Sequence, residues 1–313
     1  MISLKISGRA GNQFFQYAFV KLYMDKYNIK ETLNISFEHL EKHKTDNNTF
    51  KNILNEFNTD EFNIIEKVKL TKKQKIIDII YKIINKMIIF KAKIQKRSLR
   101  KKDYIFIVKK LQKIMNKNGL YYYIPEMKDF YTSKNKNIIF YGSFENSKYY
   151  NEYKDKIRKI YTPKNNKIEK NEELYRIIEN NESVCVTIRR GDFLKPEFKK
   201  KFYICDSEYF IKGINRMNKL IKNPKYIVFS DDIEWCKNNI KFPEGTMFES
   251  GKDPIWEKIR LMYSCKHFII SNSTFSWWAQ FLSENREKIV IAPEKWNNFE
   301  YCDLIYDNKW NII

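Results

Sequence analysis

The stretch "VCVTIRRGDF", residues 184–193, has the pattern of a buried β-strand that ends in charge. Its first five residues are apolar except for Thr187, and Arg189 and Arg190 then stand side by side before a glycine. Burying an arginine without an anionic partner is costly. Asp192 can balance one guanidinium group, and the local sequence supplies no partner for the other. The stretch therefore predicts a strand end at which an anion meets Arg189 and Arg190.

Three other apolar strands are also followed directly by polar clusters. "GRAGN" (8–12) follows "ISLKIS", "SDD" (230–232) follows "YIVF", and "SNSTFS" (271–276) follows "HFII". Strands alternate with helical patterns after residue 173, which is typical of a parallel sheet with helices on both faces. Ligands bind beyond the carboxyl ends of strands in such sheets, so we expect the four clusters to converge on one cleft.

The length of 313 residues allows two domains. A lysine- and asparagine-rich piece at 161–173 is the best candidate linker. We therefore predict an N-terminal, acceptor-side domain over 1–160 and a C-terminal nucleotide-binding domain over 161–313.

The five cysteines show no CxxC pairing, which argues against a disulfide framework and a zinc site and favours a reducing compartment. The N-terminus has no apolar signal core, and no apolar run approaches the roughly 18 residues that span a bilayer. These patterns predict a soluble, cytoplasmic protein.

The net charge of +21 is concentrated in one segment. Residues 66–117 hold 18 basic and three acidic residues, a net charge of +15, and 72–97 has a wide apolar helical face among the lysines. The segment is a peripheral membrane face, a nucleic-acid patch, or a solvated helix whose isoleucines pack inside the N-terminal domain. No recognised nucleic-acid fold accompanies it. The membrane face and the solvated, internally packed helix therefore remain as equally supported interpretations.

The "SNSTFS" cluster opens a helix. Ser271, Asn272, Ser273 and Thr274 are all good N-cap residues, and a helix N-terminus suits a phosphate because its backbone N–H groups are unpaired. The hydroxyl of Ser276 could add a hydrogen bond. For a single serine-rich helix start taken alone, ordinary capping is the clearly favoured interpretation.

Arg189 and Arg190 supply forked donors that match a diphosphate, although a surface pair balanced by Asp192 is the simpler alternative. Combined with the helix start, they predict a nucleotide diphosphate. Asp231 and Asp232 lack the DxD spacing or histidines of a metal site, so we predict no metal. Either aspartate could accept hydrogen bonds from a purine edge or cap a helix. No GxxxxGK[ST] or GxGxxG loop is present.

Four stretches, "GRAGNQFFQYA" (8–18), "IRRGDF" (188–193), "FSDD" (229–232) and "SNSTFSWWAQFL" (271–282), together resemble the motifs of glycosyltransferase family 11, the α-1,2-fucosyltransferases. They follow the family's order over nearly the whole chain. The first is also similar to the GRxGNQ loop of protein O-fucosyltransferases, which are related to the α-1,6-fucosyltransferases. The resemblance implies an α/β, GT-B fold with two Rossmann-like domains facing a central cleft.

The resemblance also implies an enzyme that transfers L-fucose from GDP-β-L-fucose with inversion and without metal. The usual acceptor is the 2-hydroxyl of a terminal β-galactoside, here in surface-glycan or O-antigen-type assembly, and it could be lipid-linked. GDP-fucose is a donor substrate, so no cofactor is expected. Two alternatives stay open: transfer of another GDP-6-deoxyhexose or to another hydroxyl, and a non-catalytic basic protein that binds membrane or nucleic acid.

Carried over by position, the resemblance implies three catalytic residues. Arg190 is expected on the β-phosphate with Arg189 in support, and Asn12 near the acceptor hydroxyl or the leaving phosphate. Asp231 is expected at the guanine, and the helix start at 273–275 is expected around the diphosphate. The full set of expected donor-binding residues is Thr187, Asp231, Asp232, Ser271, Asn272, Ser273, Thr274, Phe275 and Ser276.

The sequence departs from the family pattern at two places. Thr187 stands where the family usually has histidine, so a base or ribose contact is changed or lost. Arg9 and Ala10 occupy the middle of a motif that usually reads GGLGNQ. The implied mechanism is electrostatic, because donors set against the charge that develops on the leaving phosphate accelerate its departure. Asp192 and Glu197 are nearby carboxylates to which a structural role is assigned.

Overall fold

The computed structural model describes residues 1–42, 50–104, 107–123, 135–298 and 303–313. The chain divides into two compact units. The first is built mainly from Met1–Asn55 and Thr59–Glu152, and the second from Tyr153–Asn298 with Glu56–Asn58 and Tyr306–Ile313. The predicted boundary at residue 160 falls at the end of a helix of the second unit.

The first unit has a parallel sheet whose described strands lie in the order β3-β2-β1-β5-β4. Its strands are β1 (Ile2–Lys5), β2 (Leu33–Ser36), β3 (Phe62–Ile64), β4 (Leu120–Tyr122) and β5 (Ile138–Tyr141). Its helices are α1 (Ala10–Lys26), α2 (Glu38–Lys42), α3 (Lys72–Ile94) and α4 (Gln112–Lys117).

The first motif of the sequence forms the predicted passage from β1 to α1. Gly8 has φ +76°, a left-handed conformation that glycine adopts without strain. Gln13 is fully buried, donates from Nε2 to the carbonyl of Lys51 at 2.8 Å and accepts from the backbone N–H of Ile53 at 3.2 Å. Gln16 exchanges hydrogen bonds with the backbone of Ser7. The glutamines of this motif therefore hold the loop that carries it.

The long helix α3 begins with a capping box, in which the side chains of Thr71 and Gln74 each accept from the other's backbone N–H. Its apolar positions were predicted to form one wide face. The structure splits them, because Ile77 packs in the core of the first unit whereas Ile76 and Ile83 are exposed to solvent. The helix is therefore half packed and half open.

The second unit has a parallel sheet whose described strands lie in the order β11-β10-β9-β6-β7-β8. Its strands are β6 (Glu182–Ile188), β7 (Pro224–Ser230), β8 (Met247–Phe248), β9 (His267–Ile270), β10 (Val290–Ala292) and β11 (Asn311–Ile312). Its helices are α5 (Lys154–Ile160), α6 (Glu172–Asn180), α7 (Pro196–Phe202), α8 (Ser207–Leu220), α9 (Ile233–Asn239), α10 (Ile255–Ser264) and α11 (Thr274–Leu282).

The strand β6 lies at the centre of this sheet, and Val184, Val186 and Ile188 point into one core cluster with side chains of α8. The predicted α/β class, with a parallel sheet in the C-terminal half, is confirmed. Among the described helices, none is both long enough and apolar enough to cross a membrane.

Candidate functional site

Three of the predicted clusters emerge from neighbouring strands of the second unit. β6 pairs with β7 on one side and with β9 on the other, and all three run parallel. In the register, Thr187 lies opposite Phe229 of β7 and Ile270 of β9, so the three strands end at one edge. The arginine pair, the two aspartates and the serine-rich helix start follow at that edge, as the pattern predicted.

Arg189 is held between two carboxylates. Its Nη1 lies 2.7 Å from Asp231 Oδ2, and its Nη2 lies 2.5 Å from Asp192 Oδ1. The other carboxylate oxygen of Asp231 accepts from the backbone N–H of Arg190 at 2.9 Å. Asp231 is therefore committed through both oxygens to positioning the arginine pair, and Gly191 leaves the space that this approach needs.

Arg190 is buried, with 8% of its surface exposed, and its guanidinium lies over a tryptophan ring. Its Nε donates to Asp232 Oδ2 at 3.1 Å, its Nη1 donates to Tyr203 Oη at 3.4 Å, and its Cζ lies 3.5 Å from the ring centre of Trp235. Its Nη2 has no protein acceptor among the described residues. The Nη2 group is therefore held in place by the contacts of the rest of the guanidinium and can donate to a ligand.

Asp232 serves two partners at once, because it is also the N-cap of α9 and accepts from Trp235 N at 3.2 Å through Oδ1. The capping interpretation and the binding-site interpretation of this residue are thus both compatible with its geometry. Sequence reasoning missed Trp235 and Tyr203. Trp235 could have been found, since it stands at the third helical position after a capping aspartate, whereas nothing in the sequence marks Tyr203.

The serine-rich cluster divides into buried and accessible residues. Ser271 is fully buried and donates from its backbone N–H to Thr187 Oγ1 at 3.2 Å, and its hydroxyl lies 3.2 Å from that of Ser276. Thr187 is therefore a packing residue of the strand end. Asn272 is also buried, and its amide donates to the carbonyls of Phe202 and Trp296 at 2.9 Å each.

The half-buried residues at the start of α11 are Ser273, Thr274 and Phe275. Ser273 is the N-cap by position, yet its side chain makes no capping hydrogen bond. The side chain of Ser273 therefore occupies no backbone N–H group of the first turn, and such N–H groups favour an anion.

The segment that follows α7 joins the two halves of the site. Tyr203 accepts from Arg190, and the preceding carbonyl of Phe202 accepts from Asn272. The thiol of Cys205 also lies 3.5 Å from Asn272 Oδ1. This segment ties the end of β6 to the end of β9.

A cavity of about 490 Å³ opens beyond the ends of β7 and β8. Its lining includes Asp231, Asp232, Phe248, Glu249 and Lys252. The carboxylate of Glu249 is almost wholly buried, and its Oε2 makes no hydrogen bond within the described chain, the nearest cation being Lys258 Nζ at 3.7 Å. Sequence reasoning missed Glu249, although it directly follows a short strand, as the other site clusters do.

Asn12 lies in the first turn of α1, in the first unit, and is half-buried. A Cβ at Gly8 would come within 2.8 Å of its Nδ2, so the glycine permits the position that Asn12 occupies.

Across the described residues, no group of three or more histidine, cysteine, aspartate or glutamate side chains is arranged to hold a metal ion. Burial raises the pKa of Cys205 to about 12 and that of Cys236 to about 11. These thiols are protonated at neutral pH and are poor nucleophiles and ligands. The chemistry available at the strand edge is therefore that of guanidinium groups, carboxylates, hydroxyls and backbone N–H groups.

Comparison with known proteins gives a match over the full chain. The family model described as glycosyl transferase family 11 matches residues 1–313. An α-1,2-colitosyltransferase of Escherichia coli is 31% identical over 99% of this chain and 98% of its own length.

Two further relatives match a shorter stretch. The O-antigen biosynthesis glycosyltransferase WbnK of Escherichia coli is 33% identical over 38% of this chain and 41% of its own length. The human galactoside α-(1,2)-fucosyltransferase 1 is 32% identical over 32% of this chain and 28% of its own length. Among solved structures, NodZ α-1,6-fucosyltransferase co-crystallized with GDP matches with a TM-score of 0.48 and 12% identity, over 90% of this chain and 92% of that one.

Proposed function

The chain belongs to glycosyl transferase family 11, and we propose that it transfers L-fucose from GDP-β-L-fucose, with inversion, to the 2-hydroxyl of a terminal β-galactoside. The family and the relatives support a fucosyl-type transfer in glycan assembly. The non-catalytic alternative has no support from these relatives.

The proposal rests chiefly on the Nη2 group of Arg190, which is free to donate to a ligand. When the bond from the sugar to GDP breaks, negative charge develops on the β-phosphate. Arg190 Nη2 has no protein acceptor in the described chain, and Asp232, Tyr203 and Trp235 fix the rest of the guanidinium. A fixed donor of this kind stabilises developing charge without reorganising, which is the largest contribution in many such sites.

The start of α11 supplies a second set of donors at the same strand edge. Ser273, Thr274 and Phe275 are accessible there, and the backbone N–H groups of the first turn favour an anion. In the proposal these groups hold the diphosphate opposite Arg190, while the buried Ser271, Asn272, Ser276 and Thr187 support the loop behind them.

The cavity beyond β7 and β8 is proposed to hold the guanine. The Watson–Crick edge of guanine presents two N–H donors, and the cavity offers the carboxylates of Asp231 and Glu249. Both oxygens of Asp231 already accept from the arginine pair, whereas Glu249 Oε2 has no hydrogen bond. Glu249 is therefore the stronger candidate to distinguish guanine from adenine, with Asp231 beside it.

The proposal includes transfer without a metal ion, an acceptor in O-antigen-type glycan assembly that could be lipid-linked, and a role for Asn12 at the acceptor hydroxyl or the leaving phosphate. Asp192 bonds to Arg189 and is not assigned as a base.

Colitose is a second candidate for the transferred sugar. The relative that matches almost the whole chain is a colitosyltransferase, at 31% identity. Colitose is fucose without its 3-hydroxyl, so both donors would present the same GDP group to Arg190 and α11. The two donors differ only where the sugar ring itself is contacted.

Incubation with GDP-fucose or GDP-colitose and a panel of β-galactosides, with the linkage determined by NMR, tests the proposal. We expect an α-1,2-linked product, formed equally in excess EDTA. Titration of GDP, ADP and UDP separates binding from chemistry, and a preference for GDP is expected. No product with either donor together with equal affinity for the three nucleotides would overturn the proposal, and restoration of activity by Mg²⁺ after EDTA would overturn its metal-free mechanism.

A further inference from the structure

The outer side of α3 carries an apolar stripe whose side chains are exposed to solvent and lie outside the core cluster of the first unit. Its members recur at alternating spacings of four and three residues, and between 43% and 65% of each is exposed. They are Ile76, Ile80, Ile83, Met87, Phe90 and Ile94. With a rise of 1.5 Å per residue, the 23-residue helix presents this stripe over roughly 35 Å.

The opposite side of the helix fixes it firmly to the first unit. Gln74 Nε2 donates to the carbonyls of Asn118 and Asn137 at 2.8 Å each. Asp78 is buried and accepts from Tyr122 Oη at 2.9 Å, and Ile77 packs in the core. The exposed stripe is thus presented by an anchored helix, because the inner side chains determine which face points outward.

The charge around the stripe is almost entirely positive. α3 contains seven lysines and a single acid, Asp78, which is already paired with Lys82 at 2.7 Å. At 100° per residue, Lys73 and Lys91 flank one side of the stripe, and Lys75, Lys86 and Lys93 lie on its other side. These lysines are exposed, and their alkyl stems can lie along an apolar surface while the ammonium groups reach outward.

We propose that this face of α3 lies in the surface of an anionic lipid bilayer. Lipid phosphates would meet the lysines, and the isoleucines, Met87 and Phe90 would enter the boundary of the acyl chains. An anionic bilayer thus offers a partner both for the lysines and for the apolar stripe.

The other occupants fit only half of the surface. The four-three spacing suits a coiled coil, but a second copy of the chain would bring lysines against lysines without acidic residues to pair them. A nucleic-acid backbone would meet the lysines and leave the apolar stripe in water. The charge pattern therefore selects the anionic lipid surface.

Flotation of the whole chain with vesicles provides the test. We expect binding to equimolar phosphatidylcholine and phosphatidylglycerol, little binding to phosphatidylcholine alone, and weakening by salt. In a Phe90→Trp variant, difference spectra against the wild type should show a blue shift of the new indole's emission on the anionic vesicles, and brominated lipid should quench it.

Two variants separate the apolar and charged contributions. Ile83→Ser combined with Met87→Ser removes the middle of the stripe and should weaken vesicle binding by more than ~10-fold, since burying apolar side chains drives insertion. Lys75→Glu, Lys86→Glu and Lys93→Glu together should weaken it by roughly 100-fold or more. The matched control changes the exposed Lys219, Lys222 and Lys241 of the second unit to Glu and should retain most of the binding.

Four results would overturn the proposal. The first is no binding to anionic vesicles at low salt. The second is an equal loss in the control, which would mean that only the net charge matters. The third is lipid-independent dimerisation, by sedimentation, that the serine variant abolishes. The fourth is binding to duplex DNA that is tighter than binding to the anionic vesicles and that the serine variant leaves unchanged. None of these readouts uses transferase activity, so the outcome is independent of the proposed reaction.

Discussion

Two buried arginines of the second unit have similar surroundings but differ in how fully their guanidinium groups are hydrogen-bonded. Arg190 and Arg260 are each 8% exposed, and each lies over a tryptophan, at 3.5 Å for Trp235 and 5.3 Å for Trp256. Arg260 Nη1 donates to Glu257 at 3.1 Å, and its Nη2 donates to the carbonyls of Pro163 and Asn165. Arg190 keeps one amino group without a protein acceptor in the described chain.

The network around Arg260 is closed on its other side as well. Glu257 is fully buried and accepts from Ile168 N at 3.2 Å and from Asn171 Nδ2 at 3.1 Å. It thereby holds residues 163–171 against α10. The difference between the two clusters teaches that a closed network of buried charges serves the fold, whereas an open one has capacity left for a ligand.

The closed network should give the largest effect. Arg260→Leu leaves Glu257 buried without its cation, so the free energy of unfolding should fall by about 3–5 kcal/mol. Urea denaturation measures this, with Arg216→Leu at an exposed position as a control that should change stability by less than ~0.5 kcal/mol. Activity per folded molecule should be unchanged. An unaltered unfolding midpoint would show that the Arg260 network does not stabilise the fold.

The open network should act on catalysis. Arg190→Ala removes a fixed donor and should lower kcat at least ~100-fold, corresponding to about 2.7–4 kcal/mol in the transition state, without comparable loss of stability. Arg190→Lys should also be poor because lysine lacks the fork. Steady-state kinetics measure this, with the exposed Arg176→Ala as the control. A folded Arg190→Ala enzyme with normal turnover would contradict the assignment to the diphosphate.

The cavity beside the open network should give a smaller effect. Glu249→Gln keeps the shape of the side chain and removes its charge, so GDP should bind about 1.5–3 kcal/mol more weakly, and discrimination against ADP should fall. Calorimetric titration with both nucleotides measures this, and Glu244→Gln, at an exposed position, is the matched control. Wild-type affinity with intact selectivity for guanine would mean that the base is bound elsewhere.

A third cation, the half-buried Lys288, extends the comparison because its partners are carbonyls rather than carboxylates. Lys288 Nζ donates to the carbonyls of Gln280 and Ser283 near the end of α11. Burial, together with Lys154 and Arg158, lowers its pKa to about 7. The unfolded chain therefore binds more protons than the folded chain above pH 7, and stability rises with pH towards the ordinary lysine pKa.

Between pH 7 and pH 8 this contribution should amount to about 1 kcal/mol. Urea denaturation of the wild type and of Lys288→Met at both pH values measures this contribution. The unfolding free energy of the variant should rise less between the two pH values, because it lacks the titrating amine. Equal pH dependence in the two proteins would show that Lys288 stays protonated at neutral pH.

The sequence predicted the positions of the polar clusters but not the partners within them. Strand periodicity, together with the rule that ligands bind at the carboxyl ends of parallel strands, was enough to predict that Arg190, Asp231 and Ser273 lie at one edge of the sheet. The pairing of Arg190 with Asp232 depends on β6 lying beside β7, which no local pattern determines. The same limit hid Glu249, which is of interest because it is buried and its Oε2 accepts no hydrogen bond in the described chain, and neither property follows from its neighbours in sequence.

The helix α3 shows the limit from another direction. Its periodicity identified the apolar positions, but Ile76 and Ile77 both fitted a helical stripe. The inner stripe was chosen by contacts from distant residues, namely Asn118 and Tyr122, which meet Gln74 and Asp78. Whether an amphipathic face is covered is a property of the whole unit and cannot be derived from the helix alone.

Gly191 places a constraint on how this site can evolve. A Cβ at this position would lie 2.6 Å from Asp231 Oδ2, the oxygen that holds Arg189. Every other amino acid reached from a glycine codon by one base change carries a Cβ, so every such amino-acid substitution introduces this close contact. A library built to alter sugar preference should leave position 191 fixed and vary side chains that face the ligand, because diversity spent on this glycine would dislodge the arginines rather than retune them.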